Sequence, residues 1–233
     1  AQEMKFAKYE KTATAENPWY QFLNDRTHLS VGKTLYDLMN DRNDPRIAFY
    51  FSLVGGVVVP APNGTATQSQ GGTYSQSLLT IKGATAPTPL MTYHELLFIK
   101  AEAEFRTSAA TWQTTLQDAI RAAFASKGLN QDTADNYFTN KVTPRLTSGN
   151  ELNEILTQKY IALYEHEAIE AYNDYRRTGI PAMHNPNNKT VGFVNRFPWA
   201  LSEVSSNQNV PQTELDYIYT TKVWWAGGDE LVP

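Results

Sequence analysis

The feature that most constrains the fold is a long block of helix-type patterning from residue 91 to residue 178. Its first part has an apolar face with helical spacing, formed by Leu97, Ala101 and Phe105. Thr92 followed by Glu95 makes a capping-box pattern in front of that face, and this helix should end near Arg106. The block predicts a mainly α-helical protein.

Two further helices are predicted in the same block. One covers residues 111–127, has an apolar face that includes Trp112, and stops at Gly128. Because only a short connection separates it from the first helix, the two should pack as an antiparallel pair, like a tetratricopeptide unit. The third is predicted as one long helix over residues 150–178, ended by Gly179.

The segments on either side of the helical block are rich in turn-forming residues. Residues 1–90 are expected to be loop-rich, with a short helix over residues 30–40 and a strand in the segment IAFYFSLV after Pro45. Residues 182–233 are expected to form a loop-rich C-terminal excursion. The predicted architecture is tetratricopeptide-like helix pairs in a helical core (91–181), with long irregular loop excursions and short β-strands.

Charge and cysteine content exclude several classes of function. A net charge of -4 provides no basic field for nucleic acid, so nucleic acid is not expected as a partner. The chain has no cysteine, and therefore no disulfide, thiolate nucleophile or thiolate metal site. Its first twenty residues lack the apolar core of a signal peptide, so we expect either an intracellular protein or a processed or truncated chain.

Acidic residues and histidines do not form a catalytic pattern. Glu102 and Glu104 fall on different faces of one predicted helix, while Glu167 and Glu170 fit the solvated side of another. The histidines lack the spacing of zinc proteases or di-iron bundles, and the sequence has no phosphate loop or hydrolase elbow. We expect no enzyme, no metal and no cofactor, and a glycosidase with two facing carboxylates stays a minor alternative.

Aromatic residues in the loops are the remaining candidates for a binding site. The five candidates are Trp19, Tyr74, Trp199, Trp224 and Trp225. Such rings offer a flat apolar face that suits the C–H face of a sugar ring, while polar neighbours bind its hydroxyl groups. The competing interpretation is that the rings hold the loops onto the core. If Trp224 and Trp225 lie in a strand, their rings point to opposite faces and at least one belongs to the core.

An ordered series of segments resembles the C-terminal half of the SusD/RagB family, and more closely the SusD-like outer-membrane lipoproteins of Bacteroidetes. In chain order the segments are ENPWY (16–20), NDPRIAFYF (43–51), MTYHELLFIKAEAEFR (91–106), LNEILTQKYIALYEHEAIEAYNDYRRTGIP (152–181), NRFPWALSE (195–203), NVP (209–211) and KVWWAGG (222–228). Each segment is short, and their order along nearly the whole chain is the specific part. Two of them, NDPR and RFP, are expected to be proline turns whose charges pair locally.

The resemblance implies a protein that binds glycans at the cell surface without catalysis. It implies delivery to a SusC-like TonB-dependent transporter, and attachment to the outer membrane by a lipid anchor in an N-terminal region absent from this chain. The missing N-terminal half of the same protein is therefore an implied partner. No glycan-contacting motif is shared across the family, so the five aromatic residues stay the site hypothesis. The alternatives are a scaffold half with no sugar site of its own, or a nutrient other than a glycan.

Overall fold

The structure, a computed structural model, describes residues 3–26, 29–64, 72–78, 83–183, 193–210 and 217–228. These fall into two compact units, residues 1–184 and residues 185–233, and each is described by itself. The first unit contains a two-stranded antiparallel sheet, in which β1 (Met4–Phe6) pairs with β2 (Thr88–Met91). The rest of this unit is mainly helical, as the sequence predicts.

The helices of the first unit are α1 (Pro18–Asp25), α2 (Lys33–Asn40), α3 (Ile47–Tyr50), α4 (Tyr93–Arg106), α5 (Trp112–Ala125), α6 (Gln131–Tyr137), α7 (Glu151–Ala162) and α8 (Ala168–Thr178). A π-helical turn (Phe138–Val142) and a 3-10 turn (Thr143–Arg145) connect α6 to α7. The second unit contains α9 (Leu201–Ser206), α10 (Tyr217–Thr220) and a 3-10 turn (Trp224–Ala226). Within the described ranges, none of the helices combines the length and the apolar character needed to cross a membrane.

Helices α4 and α5 form the predicted hairpin. The side chain of Thr92 accepts a hydrogen bond from the backbone N–H of Glu95 at 3.2 Å, which confirms the N-terminus of α4. Gly128 follows α5 with a φ of +75°, a conformation that favours glycine, and so ends the second helix where predicted. The core between the helices includes Phe98, Leu116, Ile120 and Phe124, which are fully buried.

The predicted third helix is wrong as a single element, because the chain turns between α7 and α8. Glu165 has a φ of +88°, which is strained for a residue with a Cβ atom and cannot continue a helix. This conformation turns its carboxylate inward, where it pairs with Lys127 at 3.0 Å. The expectation that Glu167 is solvated is also wrong: it is the N-cap residue of α8 and is buried.

Helices α4 and α8 run in the same direction and are connected by polar side chains at two places. At their N-termini, Glu167 accepts hydrogen bonds from the Thr92 backbone N–H at 2.8 Å and from its hydroxyl at 3.1 Å. Ten residues further along each helix, Glu102 forms an ion pair with Arg177. Because the two contacts are the same number of residues apart on both segments, the helices are parallel. A glutamate side chain bridges them at each end.

The strand predicted in the segment IAFYFSLV is largely a helix. Residues 47–50 form α3, and of the following residues only Phe51 and Val54 make isolated bridges. A side-chain oxygen of Asp44 accepts a hydrogen bond from the Arg46 backbone N–H at 2.9 Å, which directs the chain into a helical turn. In the same region, the short helix predicted from residue 30 begins instead at Lys33.

The NDPR segment is a proline turn with a local ion pair, as predicted. Asp44 and Arg46 pair with both side chains fully buried, and the Arg46 guanidinium lies 4.8 Å from the centre of the Phe124 ring. Burial alone lowers the pKa of Arg46, but the charge of Asp44 outweighs it and holds that pKa above its usual value. A second buried pair joins Arg42 to Glu154 in α7.

The second unit brings two chain segments together by backbone and side-chain hydrogen bonds. The backbone N–H of Asn195 donates to the Ile218 carbonyl at 2.8 Å, and the Asn195 side-chain amide donates to the Tyr219 carbonyl. The Trp199 backbone N–H donates to the Tyr217 hydroxyl at 2.7 Å. These bonds fix residues 193–199 against α10.

Candidate functional site

Trp224 and Trp225 lie on a tight turn that presents both rings to solvent. Their side chains are 65% and 53% exposed. The turn is closed by two hydrogen bonds to the Val223 carbonyl, from Ala226 N–H at 2.9 Å and from Gly228 N–H at 3.1 Å. The expectation that at least one of the two tryptophans is buried in the core is wrong, because the pair lies in a 3-10 turn and not in a strand.

Two glycines make this turn possible. Gly227 has a φ of +80°, a left-handed conformation that residues with a Cβ atom rarely adopt. At Gly228 the constraint is a close approach, because a Cβ atom there would overlap the carbonyl oxygen of Lys222. The backbone of the turn is therefore set by glycines, and the two tryptophans are not needed to fill a core beneath it.

Trp199 also lies in the second unit, in a different environment. It is 37% exposed, and its ring lies 5.6 Å from the Arg196 guanidinium. The same guanidinium lies 5.6 Å from the ring of Tyr217. Trp199 is therefore one wall of a small aromatic frame around a cation, where a planar ligand could contact both a ring and a charge.

Trp19 is placed on the surface of the first unit by the N-terminus of α1. The Asn17 side chain accepts hydrogen bonds from the backbone N–H groups of Trp19 at 2.8 Å and Tyr20 at 3.3 Å, and Pro18 occupies the first helical position. Trp19 is 41% exposed, and its ring packs edge to face on the Phe22 ring, with 5.8 Å between the ring centres.

Trp19 lines a cleft of about 850 Å³ between α1, α7 and α8. Six aromatic side chains contribute to its walls: Trp19, Tyr20, Tyr160, Tyr164, Tyr172 and Tyr175. Burial raises the pKa of Tyr164 to about 12, so its phenol stays neutral. The volume lies within the ~300–1,000 Å³ typical of small-molecule sites. Because apolar groups dominate its lining, the cleft suits a flat apolar surface better than a highly polar one.

Four of the tyrosines that line the cleft could have been found in the sequence. Tyr172 and Tyr175 are three residues apart on α8, and Tyr164 follows Tyr160 by four residues just beyond the end of α7, so each pair has the spacing of one helix face. Sequence reasoning considered only loop aromatics and missed this cleft. Tyr74, the fifth predicted residue, is half-buried beside the fully buried Ser75 and is not among the residues lining the cleft.

The structure thus places two of the five predicted residues in the first unit and three in the second. Trp19 lies in the cleft of the first unit and Tyr74 lies elsewhere in that unit. In the second unit, Trp224 and Trp225 share one turn, and Trp199 belongs to the aromatic frame.

The buried acids are engaged in structural contacts. Burial raises the pKa of Glu102, but hydrogen bonds from Arg177 and Arg106 outweigh it and hold that pKa below its usual value. Burial also lowers the pKa of His94 and of His166 to about 4, so both imidazoles are neutral near pH 7. In the residues that the structure describes, no group of three or more acidic, histidine or cysteine side chains could hold a metal ion.

Comparison with known families gives a single answer. Residues 1–198 match the model of SusD-like proteins described as starch-binding and associating with the outer membrane. The match covers well over half of the chain, and the chain therefore belongs to the SusD/RagB family. The resemblance seen in its sequence segments is confirmed.

Solved structures agree with this assignment. A SusD/RagB family protein from Bacteroides thetaiotaomicron has 30% identity and a TM-score of 0.76, with 98% of this chain and 56% of that chain covered. A chitin-binding SusD homologue from Flavobacterium johnsoniae has 21% identity and a TM-score of 0.72, with coverage of 96% and 54%. Among curated proteins, none matches the chain. The chain spans about half the length of the solved relatives.

Proposed function

We propose that this chain binds glycans without catalysis, at the cell surface, for delivery to a SusC-like TonB-dependent transporter. The observation that carries the proposal is the exposure of Trp224 and Trp225 on a turn whose backbone is set by glycines. Family membership supports it, since the family is described as starch-binding, and one solved homologue is chitin-binding.

The two tryptophan rings can supply a substantial part of the free energy of glycan binding. A pyranose presents a face of C–H groups that stacks on an indole ring. Covering ~80 Å² of ring surface at ~25 cal/mol per Å² contributes about 2 kcal/mol, or roughly 30-fold in affinity per ring. Neither ring has to move out of a core before it can bind, so little of this energy is spent on rearrangement.

Binding without catalysis is supported by the positions of the acids. A glycosidase requires two carboxyl groups that face a substrate across a cleft. Glu102 and Glu154 are instead buried in ion pairs with arginines, and Glu167 binds the N-cap residue of α4, Thr92. The family's association with the outer membrane supports a surface location, with a lipid anchor in an N-terminal region beyond this chain.

The proposal is tested by affinity electrophoresis and calorimetry against starch, chitin oligosaccharides and a panel of plant and host glycans. Trp224→Ala and Trp225→Ala should each weaken binding about 30-fold for the glycan that the chain retards. Leu201→Ala is the matched control, because Leu201 is a highly exposed apolar residue in the same unit. Equal affinity of the tryptophan variants and the control would contradict the proposed site. If the chain binds none of the glycans, the proposed function is contradicted.

A second candidate function, a scaffold that docks another part of the same protein, is favoured by one surface. Helices α4 and α8 expose the large apolar side chains of Leu96 and Ile99 on α4 and of Ile169 on α8. Exposed apolar patches of this kind mark interaction surfaces. Since the solved relatives are nearly twice as long, we propose that the remaining half of such a protein covers these side chains.

Cysteine labelling tests the scaffold proposal, because the chain has no cysteine of its own. Ile169→Cys should react rapidly with a maleimide in this chain and slowly in the full-length protein. Thr139→Cys is the control, because it is exposed in the π-helical turn and its reaction should be equal in both. Equal labelling of Ile169→Cys in both proteins would exclude docking at this position.

A further inference from the structure

Unlike five of the other arginines, Arg196 has no acidic partner among the described residues. In the described part of the chain, five arginines form ion pairs with acids: Arg42, Arg46, Arg106, Arg121 and Arg177. Within the described residues Arg196 forms none, and its buried Nε has no hydrogen-bond acceptor. The expectation that the RFP segment pairs its charge locally is therefore wrong in the region that the structure describes.

The charges around Arg196 are few. The described ranges of the second unit contain three charged side chains, Arg196, Glu203 and Lys222. Glu203 lies on α9 and accepts a hydrogen bond from Asn207 at 3.1 Å instead of pairing with Arg196. Arg196 therefore contributes a positive charge that no described carboxylate of its unit neutralises.

The aromatic frame holds this charge in a defined place. The guanidinium lies 5.6 Å from the centres of both the Trp199 and Tyr217 rings. The rings are joined by the hydrogen bond from the Trp199 backbone to the Tyr217 hydroxyl, and the preceding residue, Asn195, is bonded to α10. The side chain is only partly exposed, so less water competes for its charge than on an open surface. A preorganised guanidinium loses little entropy on binding.

We propose that Arg196 binds the carboxylate of an acidic sugar, a uronic acid residue, while Trp199 stacks on the same sugar ring. This inference rests on the proposed glycan-binding function and names the class of glycan. The planar guanidinium matches a carboxylate, to which it can donate two parallel hydrogen bonds. The adjacent indole supplies the apolar face that a sugar ring needs.

The surroundings favour an acidic sugar over nucleic acid. Nucleic acid binding depends on several cations that neutralise successive phosphates. Here one guanidinium is fixed beside one exposed indole, in a chain whose net charge is -4. This arrangement matches a glycan that presents one carboxylate to the site.

The experiment compares glycans that differ only in charge. Polygalacturonate, alginate and hyaluronan are each tested by affinity electrophoresis and calorimetry beside the methyl-esterified form of the same polymer. At least one acid should be retained, and its ester should bind about 10- to 100-fold more weakly, because the charge-assisted hydrogen bonds are lost. Stronger binding of the ester, or equal binding of the acid and its ester, would overturn the inference.

Two variants locate the effect. Arg196→Gln should bring the affinity for the acid down to that for the ester and leave the affinity for the ester unchanged. Arg196→Lys keeps the charge but not the planar fork, and should retain part of the preference for the acid. If Arg196→Gln still prefers the acid over its ester, the inference is overturned. It is also overturned if Arg196→Lys loses that preference and melts at a lower temperature, because this combination indicates a structural role for Arg196.

The two proposals fail in different ways. Binding of neutral glycans alone, weakened in Trp224→Ala, would support the proposed function and overturn the role of Arg196. If the chain binds none of the acidic or neutral polymers, both the proposed function and the role of Arg196 are overturned.

Discussion

Replacing Asp44 by asparagine should destabilise the first unit far more than any exposed charge change. Asp44 and Arg46 form an ion pair in which both side chains are 0% exposed. The other acceptor near the guanidinium is the neutral side-chain oxygen of Gln158, at 3.3 Å. Asp44→Asn therefore leaves a buried positive charge without a counter-charge, which costs about 3–5 kcal/mol. This is a large part of the ~5–15 kcal/mol that stabilises a typical domain.

The matched control is Asp37→Asn. Asp37 pairs with Lys33 at 2.7 Å, but the two side chains are 46% and 55% exposed. An exposed pair of this kind contributes about 0.5 kcal/mol or less, because water and salt screen it. The same chemical change is thus made at two ion pairs that differ mainly in burial.

Urea unfolding, followed by circular dichroism and tryptophan fluorescence, measures both free energies of unfolding. The double variant Asp44→Asn, Arg46→Met should be more stable than Asp44→Asn alone, because it removes the unpaired charge as well. The reasoning is refuted if Asp44→Asn costs within 1 kcal/mol of Asp37→Asn at an unchanged dependence on urea, or if the double variant is the less stable of the two.

Three further predictions concern a titration, a turn and a helix cap. Burial, and then the neighbouring carboxyl group of Glu95, raise the pKa of Glu167 from 4.5 to about 7. The contribution of Glu167 to the free energy of unfolding should therefore be complete below pH 4.5 and lost as pH rises through 7. Glu167→Gln should flatten this decline in urea unfolding between pH 5 and pH 8, and an unchanged slope would assign it to other groups. Gly228→Ala should open the tryptophan turn and lower glycan affinity about 10-fold or more in calorimetry, whereas Gly83→Ala, where a Cβ atom fits, should not. Asn17→Ala should cost about 2 kcal/mol in thermal unfolding by removing the cap of α1; a loss below 0.5 kcal/mol would show that the cap is dispensable.

The sequence predicts those parts of the fold that depend on local signals. Helix α4 has a capping residue and an apolar face, α5 has an apolar face and a glycine stop, and both are found where expected. The break between α7 and α8 has no such signal. It depends on Glu165 reaching Lys127, a residue 38 positions away. Likewise α3 forms in a strand-like sequence because a buried ion pair just before it directs the chain into a helical turn.

The candidate site was partly predictable for a similar reason. Composition pointed to aromatic side chains, and Trp224, Trp225 and Trp19 are indeed among the exposed large residues. The exposure of Trp224 and Trp225 could not be read from the sequence spacing, because it depends on the type of turn formed around Gly227 and Gly228. The cleft beside Trp19 needs α7 and α8 to meet α1, which is a tertiary event.

The glycine-based turn has a consequence for how such a surface can change over time. Gly227 and Gly228 hold the backbone, while the residues at positions 224 and 225 are more than half exposed and fill no core. Exchanges at these two positions should therefore carry almost no penalty in folding. A lineage could alter the shape and polarity of the platform in single steps, and so acquire a preference for a new nutrient, without first acquiring compensating changes in the core.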